Sequence, residues 1–77
     1  MIADITHLET KESGVVVEIR GGVGLIERLQ SMGIRVDKKI TKISSHFWGG
    51  PQTIEIDNFK VAIGHGMAKK IMVDIDR

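Results

Sequence analysis

Short apolar segments separated by glycine-containing turns run along the whole chain, and this pattern restricts the chain to a small β-rich fold. Residues 15–19 form a run dominated by β-branched side chains, which favour strands. Residues 53–63 are typical of two strands joined by a tight turn, and residues 71–75 alternate as a last strand. Short strands at this spacing predict a small barrel.

The clearest local signal is a β-hairpin. Residues 53–56 alternate between polar and apolar, Asp57-Asn58 supplies turn residues, and residues 59–63 alternate back. Alternation with a period of two sends every second side chain to the same face of a sheet. The residues predicted to point inward are Ile54, Ile56, Phe59, Val61 and Ile63.

Two other strands have patterns that need interpretation. In residues 15–19, the odd-numbered side chains are expected on one face and the even-numbered ones on the other. In the strand expected around residues 39–47, Ile40 and Ile43 have opposite parity, so strict alternation fails. A β-bulge or a sharp bend would return both side chains to the core.

One helix is expected at about residues 23–32, after the Gly21-Gly22 break. Its apolar positions recur at helical spacing, and Gly33 follows as a C-terminal cap. About ten residues are too few for a stable isolated helix, so this helix must pack on the strands. The residues of the apolar stripe are Leu25, Ile26, Leu29 and Met32.

The predicted fold is therefore mainly β: a small SH3-like barrel of about five strands with one short helix and one helical turn near residues 67–70. The 77 residues form a single domain, 1–77, and a chain of this length buries only about 60% of its unfolded surface. Such a domain has room for one core and not for an elaborate active site as well. We expect a protein that is not an enzyme.

Composition narrows the function further. The formal net charge is +1, which argues against sequence-independent nucleic-acid binding because such binding needs a concentrated basic surface. The chain has no cysteine, which removes thiolate and iron–sulfur chemistry and fits a reducing cytoplasm. No apolar run approaches the roughly 20 residues of a membrane span, and the N-terminus does not match a signal peptide. We expect a cytoplasmic protein.

A series of motifs resembles the FeoA family. The chain is similar to FeoA domains in its glycine pattern, its Arg-Leu pair, its Met-Gly-Ile segment and its later turns and strands, and the match covers essentially the whole chain. Each motif alone is a turn or core signal, but their combined spacing is specific. In order, the motifs are Gly21-Gly22-Val23-Gly24, Arg28-Leu29, Met32-Gly33-Ile34, Gly50-Pro51, Thr53 to Ile56, Val61-Ala62-Ile63-Gly64, Ala68, Ile71 and Val73.

The resemblance implies a function that the residues alone do not show. FeoA proteins are small cytoplasmic SH3-like domains that assist FeoB, a membrane ferrous-iron transporter with a GTPase domain. The same domain occurs at the C-terminus of metal-dependent regulators of the diphtheria-toxin-repressor type. The resemblance thus implies an accessory protein that reaches the membrane through FeoB, while a metal-responsive regulatory module and a peptide-binding SH3-like domain remain alternatives.

The sequence departs from the family in two turns. The family commonly has Pro-Gly after its first apolar anchor and after the helix, and the corresponding pairs here are Thr10-Lys11 and Val36-Asp37. A Pro-Gly pair favours a type II turn because proline fixes φ and glycine accepts a positive φ. Lys11 and Asp37 must therefore use another turn type or carry mild strain.

Histidines are the candidate metal ligands. The predicted accessory function requires no cofactor. Histidine nevertheless commonly binds Fe²⁺ and other divalent transition metals, and the chain has three histidines. His46 and His65 are the candidate ligands, with Glu55 or Asp57 as a nearby carboxylate. None of the histidines forms a recognised ligand motif, so surface or hydrogen-bonded histidines are the alternative interpretation.

The candidate partner-binding surface combines the helix with an aromatic loop. The one tryptophan, Trp48, lies directly before two glycines, and tryptophan is enriched at interaction sites, although it can also cap a barrel. Exposed strand edges in so small a barrel leave a homodimer open. Lys38-Lys39-Lys42 is a short basic cluster that would attract an acidic partner, or simply be solvated. The residues predicted to bind FeoB are Leu25, Ile26, Leu29, Phe47 and Trp48.

Overall fold

The computed structural model describes residues 1–45 and 49–77. Within these residues, the main elements are six strands, two α-helices and a 3₁₀ turn near the N-terminus. In chain order these are β1 (Ile2–Asp4), the 3₁₀ turn (Ile5–His7), β2 (Ser13–Ile19), α1 (Val23–Ser31), β3 (Lys39–Ser45), β4 (Gln52–Ile56), β5 (Phe59–Ile63), α2 (His65–Ala68) and β6 (Ile71–Ile75).

All six strands form one sheet in the order β1-β6-β2-β3-β4-β5, and every pairing is antiparallel. The predicted mainly β fold with one short helix and one helical turn is confirmed. There are six strands rather than about five because the first residues of the chain form an additional short strand, β1, which pairs with β6. Among the described residues the pairing does not close, so β1 and β5 are its two ends.

One apolar core fills the space between the curved sheet and the helices. It draws on every strand except the short β1, and Leu29 of α1 and Ala68 of α2 cover it. Burying a side chain of this size stabilises the fold by about 1.5–3 kcal/mol. The core residues are Ile5, Leu8, Val16, Leu29, Ile34, Ile40, Ile54, Ile56, Ile63, Ala68, Ile71, Val73 and Ile75.

The β4–β5 hairpin forms where the sequence predicts it. Asp57 and Asn58 have φ values of 50° and 69°, which is the pattern of a type I′ turn between two twisted strands. The inward prediction is confirmed for three isoleucines, and Val61 is half-buried. It is wrong for Phe59, whose side chain is 72% exposed. Its cross-strand partner Ile56 is only 2% exposed, so the core reaches this level of the hairpin, and Phe59 is exposed because β5 is the outermost strand of the sheet.

A bulge in β2 breaks the expected alternation. The register with β6 shifts between Val16 and Glu18. Before the shift Val16 is fully buried while Val15 and Val17 are exposed; after it Ile19 packs against the core. The prediction that Ile19 shares a face with Val15 and Val17 is therefore wrong, because the extra residue moves Ile19 to the other face.

The bulge predicted in β3 is present, but it buries an unexpected residue. The register with β4 shifts between Lys42 and Ser44. Ile40 is fully buried, whereas Ile43, at the bulge, is only half-buried. Lys42 takes the inward position in between and is 1% exposed. The bulge therefore restores Ile40 and not Ile43 to the centre of the core.

The helix ends in a Schellman motif. Gly33 has a φ of 89°, and its N–H donates to Gln30 O at 2.9 Å. The N–H of Ile34 donates to Leu29 O, also at 2.9 Å. These two bonds satisfy carbonyls that the helix would otherwise leave open, and glycine accepts the left-handed conformation without strain. The predicted C-terminal cap is confirmed.

The two turns that lack Pro-Gly have the geometry of type II turns. The N–H of Glu12 donates to Glu9 O at 2.9 Å, and Lys11, at the third position of the turn, has a φ of 73°. Residues 35–38 repeat this arrangement, with a bond of 3.2 Å and a φ of 76° at Asp37. Of the two outcomes that the sequence leaves open, the turns show the strained one.

Candidate partner-binding surface

A groove between α1 and β2 contains Ile26, one of the residues predicted to bind a partner. Val17, Ile19, Ile26 and Val36 supply its apolar atoms, and Val36 is 50% exposed. Its polar margin consists of Glu18, Gln30 and Arg35. We call this set of seven residues the α1–β2 groove.

The helix contributes to this surface unevenly. Leu29 is fully buried in the core, so it supports the surface from beneath and is not available to a partner. Leu25 and Ile26 are half-buried. A Cβ atom on Gly21 would lie 2.5 Å from Leu25 Cδ2, so a larger residue there would displace the end of the Leu25 side chain.

Val23 is an exposed residue of this surface that the sequence did not single out. Its side chain is 72% exposed at the first position of α1. It precedes Ile26 by three residues and therefore lies on the same side of the helix. The sequence signal for this exposed position is an apolar residue directly after the glycine break, at the helix end and outside the predicted apolar stripe.

Phe47, Trp48 and His46 lie outside the described residues. The prediction that Phe47 and Trp48 bind a partner stays a prediction, as does the assignment of His46 as a ligand. Gly49, which follows them, is exposed and has a φ of 73°.

A second apolar exposure lies at the other end of the sheet. Phe59 is 72% exposed beside a shallow groove that separates the end of α1 from β5. Met32 and Val61, both half-buried, lie in this groove. The sequence missed this surface because alternation assigned Phe59 to the core.

His65 is the candidate metal ligand that the structure describes. It begins α2, and its ring lies against Gly49, where an added Cβ would be 3.6 Å from the ring carbons. Its Nδ1 atom is enclosed and has no hydrogen-bond partner among the described residues. Within residues 1–45 and 49–77, no group of three potential ligands could hold a metal ion. Asp57, a proposed carboxylate, forms an ion pair with Lys38 at 2.6 Å.

Lys42 is a buried charge rather than part of a basic surface. Its Nζ donates to Leu8 O at 3.0 Å and to Gln52 Oε1. Burial lowers the pKa of Lys42, while the nearby charge of Asp4 opposes this shift. The contact ties β3 to β4 and to the segment after the 3₁₀ turn. The prediction that Lys38, Lys39 and Lys42 form a basic surface cluster is therefore wrong for Lys42, which is buried.

Two carboxylates, of Asp4 and Glu12, have lowered pKa values because they accept hydrogen bonds. Burial acts to raise the pKa of Asp4, but hydrogen bonds from Thr6 outweigh it, so that pKa lies below its usual value. Asp4 Oδ1 also lies 3.3 Å from Nδ1 of His7. Glu12 accepts bonds from Arg77 Nε and Nη2 at 2.8 and 2.9 Å, which lower the pKa of Glu12 to about 2. These contacts are structural and leave the α1–β2 groove free.

Comparison with known families decides the assignment. Residues 4–75 match the model of the FeoA domain family. The chain belongs to the FeoA domain family. A protein of Methanocaldococcus jannaschii, provisionally named Fe(2+) transport protein A, is 40% identical over 63 residues, which are 82% of this chain and 74% of the relative.

Solved structures place the fold in the same group. The crystal structure of an iron uptake regulatory protein (FeoA) is 30% identical, covers 99% of both chains and has a TM-score of 0.89. A manganese-dependent transcriptional repressor has a TM-score of 0.88 at 20% identity, over 97% of this chain and 42% of the repressor, and this likeness shows the fold alone. The SH3-like barrel prediction is confirmed. No helix in the described residues is long and apolar enough to cross a membrane.

Proposed function

We propose that this FeoA-family protein is a non-enzymatic accessory of ferrous-iron uptake that binds the FeoB GTPase-transporter at the cytoplasmic side of the membrane. The observation that carries the proposal is the family match over residues 4–75, supported by a relative provisionally named as an Fe(2+) transport protein. The family is one of accessory transport proteins rather than enzymes. A small binding domain can act on a transporter only through its surface, so the α1–β2 groove carries the proposed contact.

The composition of this groove supports its assignment. Val36 in the groove is 50% exposed, and Val23, which is 72% exposed, lies beside the groove on the same side of α1 as half-buried Ile26. Apolar patches rimmed by polar residues mark interaction sites. Glu18 and Arg35 at the margin supply both charges, which gives a partner a preferred orientation more than added affinity. The predicted Trp48 and Phe47 belong to the same proposal.

The test is binding of full-length FeoB in lipid nanodiscs to the immobilised protein. Val23→Asp is the variant of choice because an acid at the first helical position is favourable to the helix dipole, so the fold should be retained. A carboxylate in the apolar contact should weaken binding at least tenfold, which corresponds to about 1.4 kcal/mol. Phe59→Asp is the matched control on the other apolar surface and should bind FeoB normally.

The result that contradicts the proposal is equally defined. If Val23→Asp binds FeoB as tightly as the unchanged protein, the groove is not the contact. If Phe59→Asp alone releases FeoB, the contact lies at β5. If neither the protein nor any variant binds FeoB at micromolar concentration, the accessory function is wrong for this chain.

Transition-metal binding is a second proposal, supported by the enclosed Nδ1 of His65 that lacks a partner among the described residues. One imidazole is not a site, so the proposal requires His46 as a further ligand. Calorimetric titration with Fe²⁺ under anaerobic conditions, and with Co²⁺, should give a saturable signal that His65→Ala and His46→Ala each abolish. His7→Ala, whose ring lies beside Asp4, is the control. No saturable heat below millimolar metal ends this proposal.

A metal-responsive regulatory module is the alternative function, favoured by the fold likeness to the manganese-dependent repressor. The two functions make different predictions for the same binding assay. If the protein is a metal-responsive module, it should bind FeoB only when metal is present. If it is a simple accessory protein, it should also bind FeoB in the presence of a chelator.

A further inference from the structure

The outer edge of β5 has unpaired backbone groups. In the hairpin, Ile56 pairs with Phe59 across a two-residue turn, which makes them a hydrogen-bonded pair. The N–H and C=O groups of Phe59, Val61 and Ile63 therefore point to β4. Those of Lys60 and Ala62 point away from the sheet. In the described part of the chain no strand pairs with this edge.

The side chains along this edge are exposed as well. Phe59 is 72% exposed, and Lys60 and Ala62 are both exposed. An edge with unpaired backbone groups and an exposed aromatic side chain is a template for another strand. Lys60, the second residue of the strand, discourages edge-to-edge pairing, most of all with a strand that puts another cation opposite it. The edge therefore selects its partner by charge.

We propose that β5 pairs with β5 of a second copy of this chain, antiparallel and about a two-fold axis at Val61. A symmetric antiparallel pair of one strand with itself gives a closed dimer. In this register Lys60 and Ala62 of one copy face Ala62 and Lys60 of the other. Their outward N–H and C=O groups then form two hydrogen-bonded pairs, with two bonds each.

The charges favour this register over the two neighbouring symmetric ones. An axis at Lys60 would put two lysines directly opposite each other, which is destabilising. An axis at Ala62 would put the glycine that follows β5 opposite Lys60 and lose the pairing of Phe59. With the axis at Val61, Lys60 faces the smallest side chain of the edge, and Glu55 lies across from Lys60 on β4. The lysine is then flanked by an acid and an alanine.

The other face of the strand is complementary to itself. The two half-buried Val61 side chains face each other at the axis, and Phe59 of one copy lies opposite Ile63 of the other, which is already buried in its own core. Aromatic and β-branched residues are favourable cross-strand partners. Because β5 has five residues, the contact is smaller than the roughly 1,600 Å² of a standard interface, so we expect a dissociation constant in the micromolar range or weaker.

Sedimentation velocity from low micromolar to millimolar protein measures this association. Ala62→Lys places a lysine opposite Lys60 of the second copy, and Ala62→Glu places an acid there, while both side chains are similar in size and exposed. Each dimer contains the contact twice, so the two variants should differ about tenfold in dissociation constant, with Glu the tighter. The difference should shrink in high salt because exposed charge pairs are screened.

Three outcomes distinguish the proposal from its alternatives. A dimer that Ala62→Glu strengthens and Ala62→Lys weakens confirms the β5 pairing. A dimer that responds equally to both substitutions lies on another surface and overturns it, as does a protein that stays monomeric at millimolar concentration. Neither substitution touches the α1–β2 groove, so FeoB binding should be unchanged and the proposed function stands or fails separately.

Discussion

The strained turn at Lys11 provides a quantitative test of the backbone geometry. Lys11 has a φ of 73°, and a non-glycine residue in the left-handed region costs about 1–2 kcal/mol. Lys11→Gly removes this strain but makes the unfolded chain more flexible, which costs about 0.4–1 kcal/mol. The N–H of Lys11 donates to Lys42 O at 2.7 Å, and glycine keeps this backbone donor. The expected net stabilisation is about 0.5–1 kcal/mol.

Thermal unfolding followed by circular dichroism measures this change. For a domain of this size, each kcal/mol shifts Tm by about 4–8 °C, so Lys11→Gly should raise Tm by about 2–8 °C. Asp37→Gly should raise it less, because aspartate tolerates the left-handed region better than lysine. Glu27→Gly, at an exposed position within α1, is the control and should lower Tm. If Lys11→Gly lowers Tm as Glu27→Gly does, the strain assigned to the turn is wrong.

Two further predictions concern stability. The pKa of Glu12 is about 2 in the folded protein and 4.5 ordinarily, so its contact with Arg77 stabilises the fold above pH 4.5 and is lost as the pH falls towards 2. The urea midpoints of the unchanged protein and of Arg77→Ala should therefore converge between pH 4.5 and 2. A constant difference between the two midpoints would contradict this prediction. Gly14→Ala should destabilise by about 1–3 kcal/mol because its Cβ would lie 3.1 Å from Asp74 O, whereas Gly24→Ala, with open space around it in α1, should stabilise by about 0.5–1 kcal/mol in the same urea assay.

Local turn and capping signals predicted the parts of the fold that depend on few residues. Asp57-Asn58 specified the hairpin because both residues tolerate the positive φ that a type I′ turn requires. Gly33 specified the helix end for the same reason. The mismatch of Lys11 and Asp37 with a Pro-Gly turn was also visible, since the turn position demands a backbone conformation that these residues adopt only with strain.

The burial of Lys42 could not be predicted in the same way. Its inward position depends on the register of β3 with β4 and on where the bulge falls, both of which are set by pairing between distant segments. The lysine is tolerated because a carbonyl from residue 8 and the side chain of Gln52 accept its hydrogen bonds. No local pattern around residue 42 contains either acceptor.

Two of the three positions where alternation failed, in β2 and at Phe59, border the proposed binding surfaces, whereas the bulge in β3 serves the core. The bulge in β2 exposes Val17 and turns Ile19 towards the core side of the α1–β2 groove, so one irregularity creates the edge of that groove. Phe59 failed the inward prediction because it lies on β5, the outermost strand of the sheet, although its partner Ile56 on β4 is buried. Side chains that break the rules of a stable fold are expected where function requires exposure. The exposure of Val17 and Phe59 is therefore the property through which both irregularities belong to the proposed surfaces.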